Sequence, residues 1–336
     1  MEENRRFHEI DLLKAVAIVM VVGVHAISTS FSDTTWTGRL LGDVTSCAVP
    51  GLLFASGFLF DKSGKKSGAL MKKLFVRIVP PYIFWSTLMM GFRLPGVNQG
   101  DGVLNVKTFF LNLLFGRAVG IYYFVFVIGY LYGISFFFRK LSRRSLMLIW
   151  AILAGITLIF MANPLYFIPA PKEWFMFFLM RHPLVHLLPY LSGWLFSLYR
   201  EEIIPRISGS WAVVGAPILL IDTLLLFTNQ SMTQGGMTRL MVQAHIYLAI
   251  FLILWLGIHH LKPARPIYYV SRFSYGLFLI HFPFVRAFQG FFPGQTAIFS
   301  FTYSPIALAS GLGGSLMVIY VVKWLLGRYS VHIIGS

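Results

Sequence analysis

Two ionisable side chains, Lys14 and His25, stand in the first apolar run of the sequence. Ionisable groups at bilayer depth are costly and mark functional sites. Eleven helical residues at about 100° each return to within about 20° of the same face and rise about 16 Å. The spacing therefore predicts one crevice, in which the Lys14 ammonium holds phosphates and the neutral His25 imidazole acts as base or nucleophile. The alternatives are a lysine that snorkels to the headgroups and a histidine in an interhelical hydrogen bond.

A second group of cations precedes a pair of prolines. Lys73 and Arg77 are four residues apart, so they share one helical face. Pro80 and Pro81 fix the backbone immediately before Tyr82. This pattern predicts an anion site at the cytoplasmic entrance of a helix. The alternative is a basic loop that reflects membrane topology alone.

Further polar residues are weaker candidates for the same pocket: Asp11, Ser56, Tyr122, Tyr123, Tyr275 and His281. Asp11 could instead cap a helix or pair with a cation, the adjacent tyrosines could be interfacial aromatics, and His281 could be a hydrogen-bonded bundle histidine. His182 and His186 have the spacing of a metal pair, but no carboxylate or cysteine is close to them in sequence. We therefore expect no metal.

The composition indicates which elements must position these groups. Hydrophobic residues make up 57% of the chain and charged residues 12%, and the mean hydropathy is +0.73. These values are more apolar than those of a soluble domain. A hydrocarbon core of about 30 Å needs roughly 20 apolar residues per helix. We predict an all-α polytopic bundle of about ten transmembrane helices, near residues 12–28, 44–60, 75–93, 118–138, 146–162, 185–199, 211–228, 240–259, 273–289 and 302–326. Residues 104–117 could add a re-entrant or interfacial helix.

The formal net charge of +16 comes from 28 basic residues, most of which fall in alternate loops between apolar runs. Such alternation is typical of a membrane protein whose basic loops are cytoplasmic, and it argues against nucleic-acid binding. Both termini are then cytoplasmic. Arg5 and Arg6 are not followed by a signal-peptide cleavage site, so we expect the first helix to be retained. The single cysteine, Cys47, excludes an internal disulfide. Without tandem repeats or long linkers, we predict one membrane domain over residues 1–336, in the cell inner membrane.

Five stretches carry a family resemblance. IDLLKAVAIVMVVGVHA (10–26) is similar to the opening signature of the acyltransferase-3 family of integral membrane acyltransferases, in which a histidine follows a basic residue by eleven positions. The other four occur in the family's order: LFASGFLF (53–60), VRIVPPYIFW (76–85), LPYLSGWLFSLYR (188–200) and SRFSYGLFLIHFPFV (271–285). Together they span nearly the whole chain.

The resemblance implies transfer of an acyl group, acetyl or succinyl, from cytoplasmic acyl-CoA to a hydroxyl of an extracytoplasmic or lipid-linked glycan. His25 would be catalytic, Lys14, Arg77 and Tyr82 would belong to the donor side, and Tyr275 and His281 to a late-helix motif. The sequence departs from the family in two places. Position 14 is typically arginine, and lysine lacks its bidentate phosphate geometry. Many members have a tryptophan where this chain has the Tyr122–Tyr123 pair.

Two points stay open at the level of sequence. His25 could deprotonate the acceptor hydroxyl directly or carry the acyl group as a covalent intermediate. A transporter or flippase for a polysaccharide or lipid-linked sugar would also have about ten helices with buried histidines. The internal repeat that many transporters show is not evident, and a non-catalytic sensor is a third reading. The oligomeric state and the identities of the acyl group and acceptor are not encoded in any one motif.

Overall fold

The computed structural model describes residues 6–26, 42, 44–62, 67–91, 106–164, 168, 171–207, 211–228, 236–261, 264–291 and 297–335. The regular elements in these ranges are helices, as the composition predicts. The α-helices are α1 His8–Ala26, α2 Ala48–Lys62, α3 Ser67–Gly91, α4 Val106–Leu114, α5 Tyr123–Phe138, α6 Arg143–Ala162, α7 Lys172–Leu179, α8 Pro183–Ile203, α9 Trp211–Thr228, α10 Gly236–His259, α11 Arg265–Arg272, α12 Ser274–Phe291, α13 Ala297–Leu326 and α14 Val331–Ile334.

Several of these helices can cross a membrane. Stretches long and apolar enough for this are Gly68–Gly91, Gly120–Phe138, Arg143–Ala162, Leu240–His259 and Pro305–Ile334. The chain is therefore an all-helical, multi-pass membrane protein, while the count of about ten spans stays a prediction. The uncertain stretch 104–117 contains α4, whose 9 residues are too short to cross a core of about 30 Å.

Helix α1 lies at the centre of the bundle, where α2, α10, α11, α12 and α13 all contact it. Apart from its few ionisable residues, α1 carries apolar side chains all around, which is typical of a helix enclosed by others. The amino-terminal end of α1 is held by an ion pair in which the Arg200 Nε donates to the buried Glu9 Oε1 at 2.7 Å. This contact fixes α1 to the carboxyl-terminal end of α8.

Helices α2 and α8 pack at unusually short range because two glycines face each other's backbones. A Cβ at Gly57 would overlap the carbonyl oxygen of Tyr190, and a Cβ at Gly193 would overlap that of Phe54. Small residues allow this close approach of membrane helices. The Ser197 hydroxyl also donates to Asp61 Oδ2 at 2.7 Å. The α2–α8 pair therefore forms a rigid wall beside α1.

Candidate functional site

A cavity of about 530 Å³ lies between α1, α2, α3, α5 and α12, beside the carboxyl-terminal end of the chain. Its lining includes five cationic side chains: Lys14, Lys62, Lys73, Arg77 and Arg272. No Asp or Glu occurs among the described residues that line it. Such a cavity has a strongly positive potential and suits a ligand with several negative charges, such as phosphates.

The half-buried Lys14 occupies the α1 side of this cavity. Asp11, one turn before it, and Arg77 on α3 act on its charge. The Ser271 hydroxyl donates to Asp11 Oδ1 at 2.7 Å, which orients the carboxylate at the edge of the site. Asp11 therefore places a negative charge near Lys14, while Arg77 places a second cation there.

The far wall is built by Tyr275 of α12 and the chain end. The Tyr275 hydroxyl donates to the carbonyl oxygen of Ile78 at 2.9 Å, which ties α12 to α3 next to Arg77. Gly335 has φ +73°, and a Cβ there would overlap both the Arg77 carbonyl oxygen and the Tyr275 ring. The Trp85 indole donates to the Ile333 carbonyl oxygen at 2.9 Å. Gly335, directly after the short helix α14, thus lines the cavity, a role that the sequence did not suggest.

Ser56 lines the α2 side, as the pocket prediction expects, and its hydroxyl donates to the Leu52 carbonyl oxygen at 2.7 Å. Sequence reasoning missed Lys62, Tyr132 and Arg272 as lining residues. Lys62 and Arg272 belong to the basic residues whose distribution indicates membrane topology, and Arg272 also lies inside the late motif SRFSYGLFLIHFPFV (271–285). Tyr132 carried no signal, because it is one of many aromatics in an apolar helix.

His25 lies near the other end of α1, against His281 of α12. The two imidazole ring centres are 5.5 Å apart. His281 is fully buried, and its Nδ1 donates to the Leu277 carbonyl oxygen at 2.9 Å. The Gln289 amide donates to the His25 carbonyl oxygen at 2.9 Å. Since Ser271 contacts Asp11 and Gln289 contacts His25, the chain runs through α1 and α11–α12 in the same direction.

An aromatic layer separates the imidazole pair from the cationic cavity. The cavity reaches Phe124 and Phe278, whose ring centres are 5.1 Å apart, and His25 is not among its described lining residues. The Phe278 ring centre lies 6.4 Å from that of His281. Tyr122 packs behind Phe278 and donates its hydroxyl to the Leu279 carbonyl oxygen at 2.7 Å. Lys14 therefore lines the cationic cavity, whereas His25 lies about 16 Å farther along α1, against α12 and outside the described lining of that cavity.

Two predicted tyrosines lie elsewhere. Tyr82 donates its hydroxyl to the Leu113 carbonyl oxygen beside α4, and its ring packs on Tyr122 at 5.8 Å. The Tyr123 ring faces His186 at 6.1 Å and the Arg181 guanidinium at 5.9 Å. Neither tyrosine is among the described residues that line the cationic cavity.

The spaced histidines that suggested a metal pair are held by other contacts. His182 accepts the Leu184 N–H at 3.3 Å as the amino-terminal cap of α8, and its ring stacks on Phe160 at 4.5 Å. Burial lowers the pKa of His182, which favours the neutral ring that this cap requires. His186 Nε2 donates to the Met180 carbonyl oxygen at 2.8 Å. Within the described part of the chain, no three His, Cys, Asp or Glu side chains cluster as metal ligands.

Comparison with known proteins identifies the family. No curated protein matches this chain, and no solved structure matches it. A family model described as an acyltransferase domain matches residues 7–324, which include α1, both sides of the cationic cavity and the imidazole pair. This match covers nearly the whole chain and agrees with the five motifs and the membrane-helix architecture. The chain therefore belongs to the acyltransferase-3 family and is a membrane acyltransferase.

Proposed function

We propose that this enzyme transfers an acetyl or succinyl group from cytoplasmic acyl-CoA to a hydroxyl of an extracytoplasmic or lipid-linked glycan. The observation that carries the proposal is the cavity with five cations and no described carboxylate in its lining. Coenzyme A is a polyanion with a long neutral arm, so its phosphates would pair with Lys14, Lys73 and Arg77. Arg272 and Lys62 add charge at the same mouth.

The donor arm would extend from these cations toward Phe124 and Phe278. The imidazole pair lies immediately beyond this layer. We propose that a rotation of the Phe278 ring admits the thioester to His25. Tyr275 and Ser56 would contact the arm from opposite walls, whereas Tyr82, Tyr122 and Asp11 would act by holding α3, α12 and Lys14 in place.

His25 supplies the chemistry in this proposal. Either its imidazole takes the proton of the acceptor hydroxyl while that oxygen attacks the thioester carbonyl, or it carries the acyl group transiently. In both cases the carbon–sulfur bond breaks, a carbon–oxygen bond forms, and the hydroxyl proton ends on the coenzyme A sulfur. No redox partner or metal is required.

The proposal includes a topology. The cations of α1, α2, α3 and α11 surround the cavity, and the positive-inside pattern of the sequence predicts that this side faces the cytoplasm. The outer end of α1 then presents His25 to an acceptor outside. We therefore propose about ten spans with both termini cytoplasmic, a single domain over residues 1–336, and an inner-membrane location.

The test compares purified wild-type protein with His25→Ala in proteoliposomes made from host membrane lipids. Thiol release from acetyl-CoA and succinyl-CoA is followed, together with mass spectrometry of surface glycan from producing cells. We expect His25→Ala to abolish thiol release and glycan acylation, and the exposed His260→Ala to leave both unchanged. Full activity of His25→Ala at normal protein levels would refute the role of His25. Absence of thiol release by folded wild-type protein would favour the alternative function, a transporter or flippase for a polysaccharide or lipid-linked sugar.

A further inference from the structure

We propose that His281 is a positioning residue that accepts an N–H of His25 and thereby fixes the tautomer of the catalytic imidazole. This inference rests on the proposed role of His25 and concerns how that group is prepared for reaction. The burial of His281 and its bond to Leu277 leave the second ring nitrogen without a role, and the proposal gives it one.

The hydrogen bond of His281 determines its own tautomer. A carbonyl oxygen can only accept, so the contact with Leu277 O requires the proton on Nδ1. Nε2 then carries a lone pair. That atom is buried and has no hydrogen-bond partner among the described residues. A buried acceptor without a partner is unfavourable, so its retention calls for a donor in some state of the enzyme.

His25 is the donor within reach. Two imidazoles joined by an N–H···N bond of about 3 Å have ring centres about 5–5.5 Å apart. The observed separation is 5.5 Å with an interplanar angle of 32°. The other described rings at the pair are Phe278 and Phe282, which carry no N–H or O–H. A small rotation of the His25 ring completes the bond.

The bond would decide which nitrogen of His25 reacts. The nitrogen that faces His281 holds the proton, so the other nitrogen presents its lone pair to the acceptor hydroxyl or the thioester. When that nitrogen takes up the hydroxyl proton, the imidazolium forms with one N–H already bonded to His281. The proton then passes to the departing sulfur, and both imidazoles return to their starting tautomers. The same arrangement serves direct and covalent transfer.

The experiment compares His281→Phe, which keeps a ring but has no acceptor, with His281→Gln, whose amide oxygen can accept. Kinetics of thiol release from acetyl-CoA are measured in proteoliposomes. We expect His281→Phe to lower kcat by about 10-fold or more with KM for acetyl-CoA nearly unchanged, because a wrong tautomer removes the reactive lone pair. His281→Gln should recover much of kcat. His186→Phe is the matched control, since His186 is also buried and bonded to a carbonyl oxygen, and it should keep wild-type kcat.

A second readout does not depend on activity. Diethylpyrocarbonate reacts with the lone pair of a neutral imidazole, and mass spectrometry of the His25 peptide gives its rate. We expect slower modification in His281→Phe and near wild-type modification in His281→Gln. Equal kcat in wild type and His281→Phe, or equal loss in both His281 variants, would overturn the inference. An unchanged rate of His25 modification in both His281 variants would refute the tautomer role, even if these variants are inactive. If His25→Ala is inactive while both His281 variants keep wild-type activity, only this inference fails and the proposed function stands.

Discussion

Replacement of Lys14 tests the donor site most directly. Lys14→Met removes the charge and nearly conserves the length of a side chain that lines the cationic cavity. A hydrogen bond to a charged group contributes about 1.5–3 kcal/mol, and each 1.4 kcal/mol corresponds to about tenfold in affinity. We therefore expect KM for acyl-CoA to rise about 10- to 100-fold. The lower part of this range is expected if Arg77 and Arg272 compensate.

The structure also predicts what should not change. Burial of the Lys14 charge and repulsion by Arg77 oppose folding, whereas Asp11 attracts this charge, so Lys14→Met should not lower the free energy of unfolding. His25 lies beyond the aromatic layer, so kcat at saturating donor should stay within a few fold. Lys14→Arg should bind the donor as well as or better than lysine, because a guanidinium contacts phosphate at two points.

The assay is thiol release as a function of acetyl-CoA concentration at low and high salt, with melting temperature recorded for each variant. Lys107→Met is the control, since Lys107 is exposed on α4 and does not line the cavity. It should keep the wild-type KM. An unchanged KM in Lys14→Met, or a fall in kcat alone, would refute phosphate binding by Lys14.

Two further predictions concern the scaffold. Gly57→Ala should lower the melting temperature strongly, because a Cβ there overlaps a carbonyl oxygen of α8. The control Gly129→Ala has open space around its Cβ and should keep the wild-type melting temperature. Equal melting temperatures for the two variants would contradict the close α2–α8 packing. Glu9→Gln should cost about 1–3 kcal/mol of unfolding free energy, because it removes the buried charge that Arg200 contacts at 2.7 Å and leaves Arg200, among the described residues, only its ion pair with the exposed Glu201. Glu202→Gln, in an exposed pair, should cost less than about 1 kcal/mol in the same denaturation measurement, and a similar cost for both would contradict this view.

Several residues that the sequence grouped together line one cavity in the structure, because helical geometry is local. The eleven-residue spacing predicts one crevice for Lys14 and His25, but among the described residues that line the cationic cavity only Lys14 is present, and His25 lies beside His281 of α12. The four-residue spacing likewise predicts a shared face for Lys73 and Arg77, and both line the cavity. These inferences need only the rotation and rise of an α-helix.

The same reasoning could not predict contacts between distant segments. Gly335 lines the cavity because α14 packs against α3. Arg272 lines it because α11 packs against α1. The positions of Tyr82 and Tyr123 away from the cavity follow from contacts with α4 and α8. A sequence motif specifies residue types and their spacing, but it does not determine which of these side chains line a cavity.

The sequence by itself determined the membrane class, the family and the helix faces that carry charge, because hydrophobicity and helical periodicity act over short stretches of chain. Only the tertiary structure decided that the cationic cavity reaches Phe124 and Phe278 and that the imidazole pair lies beyond this layer. It also decided that His281, far from His25 in sequence, lies 5.5 Å from it. Such separations and pairings depend on the packing of whole helices, and packing is a property of surfaces that no single segment contains.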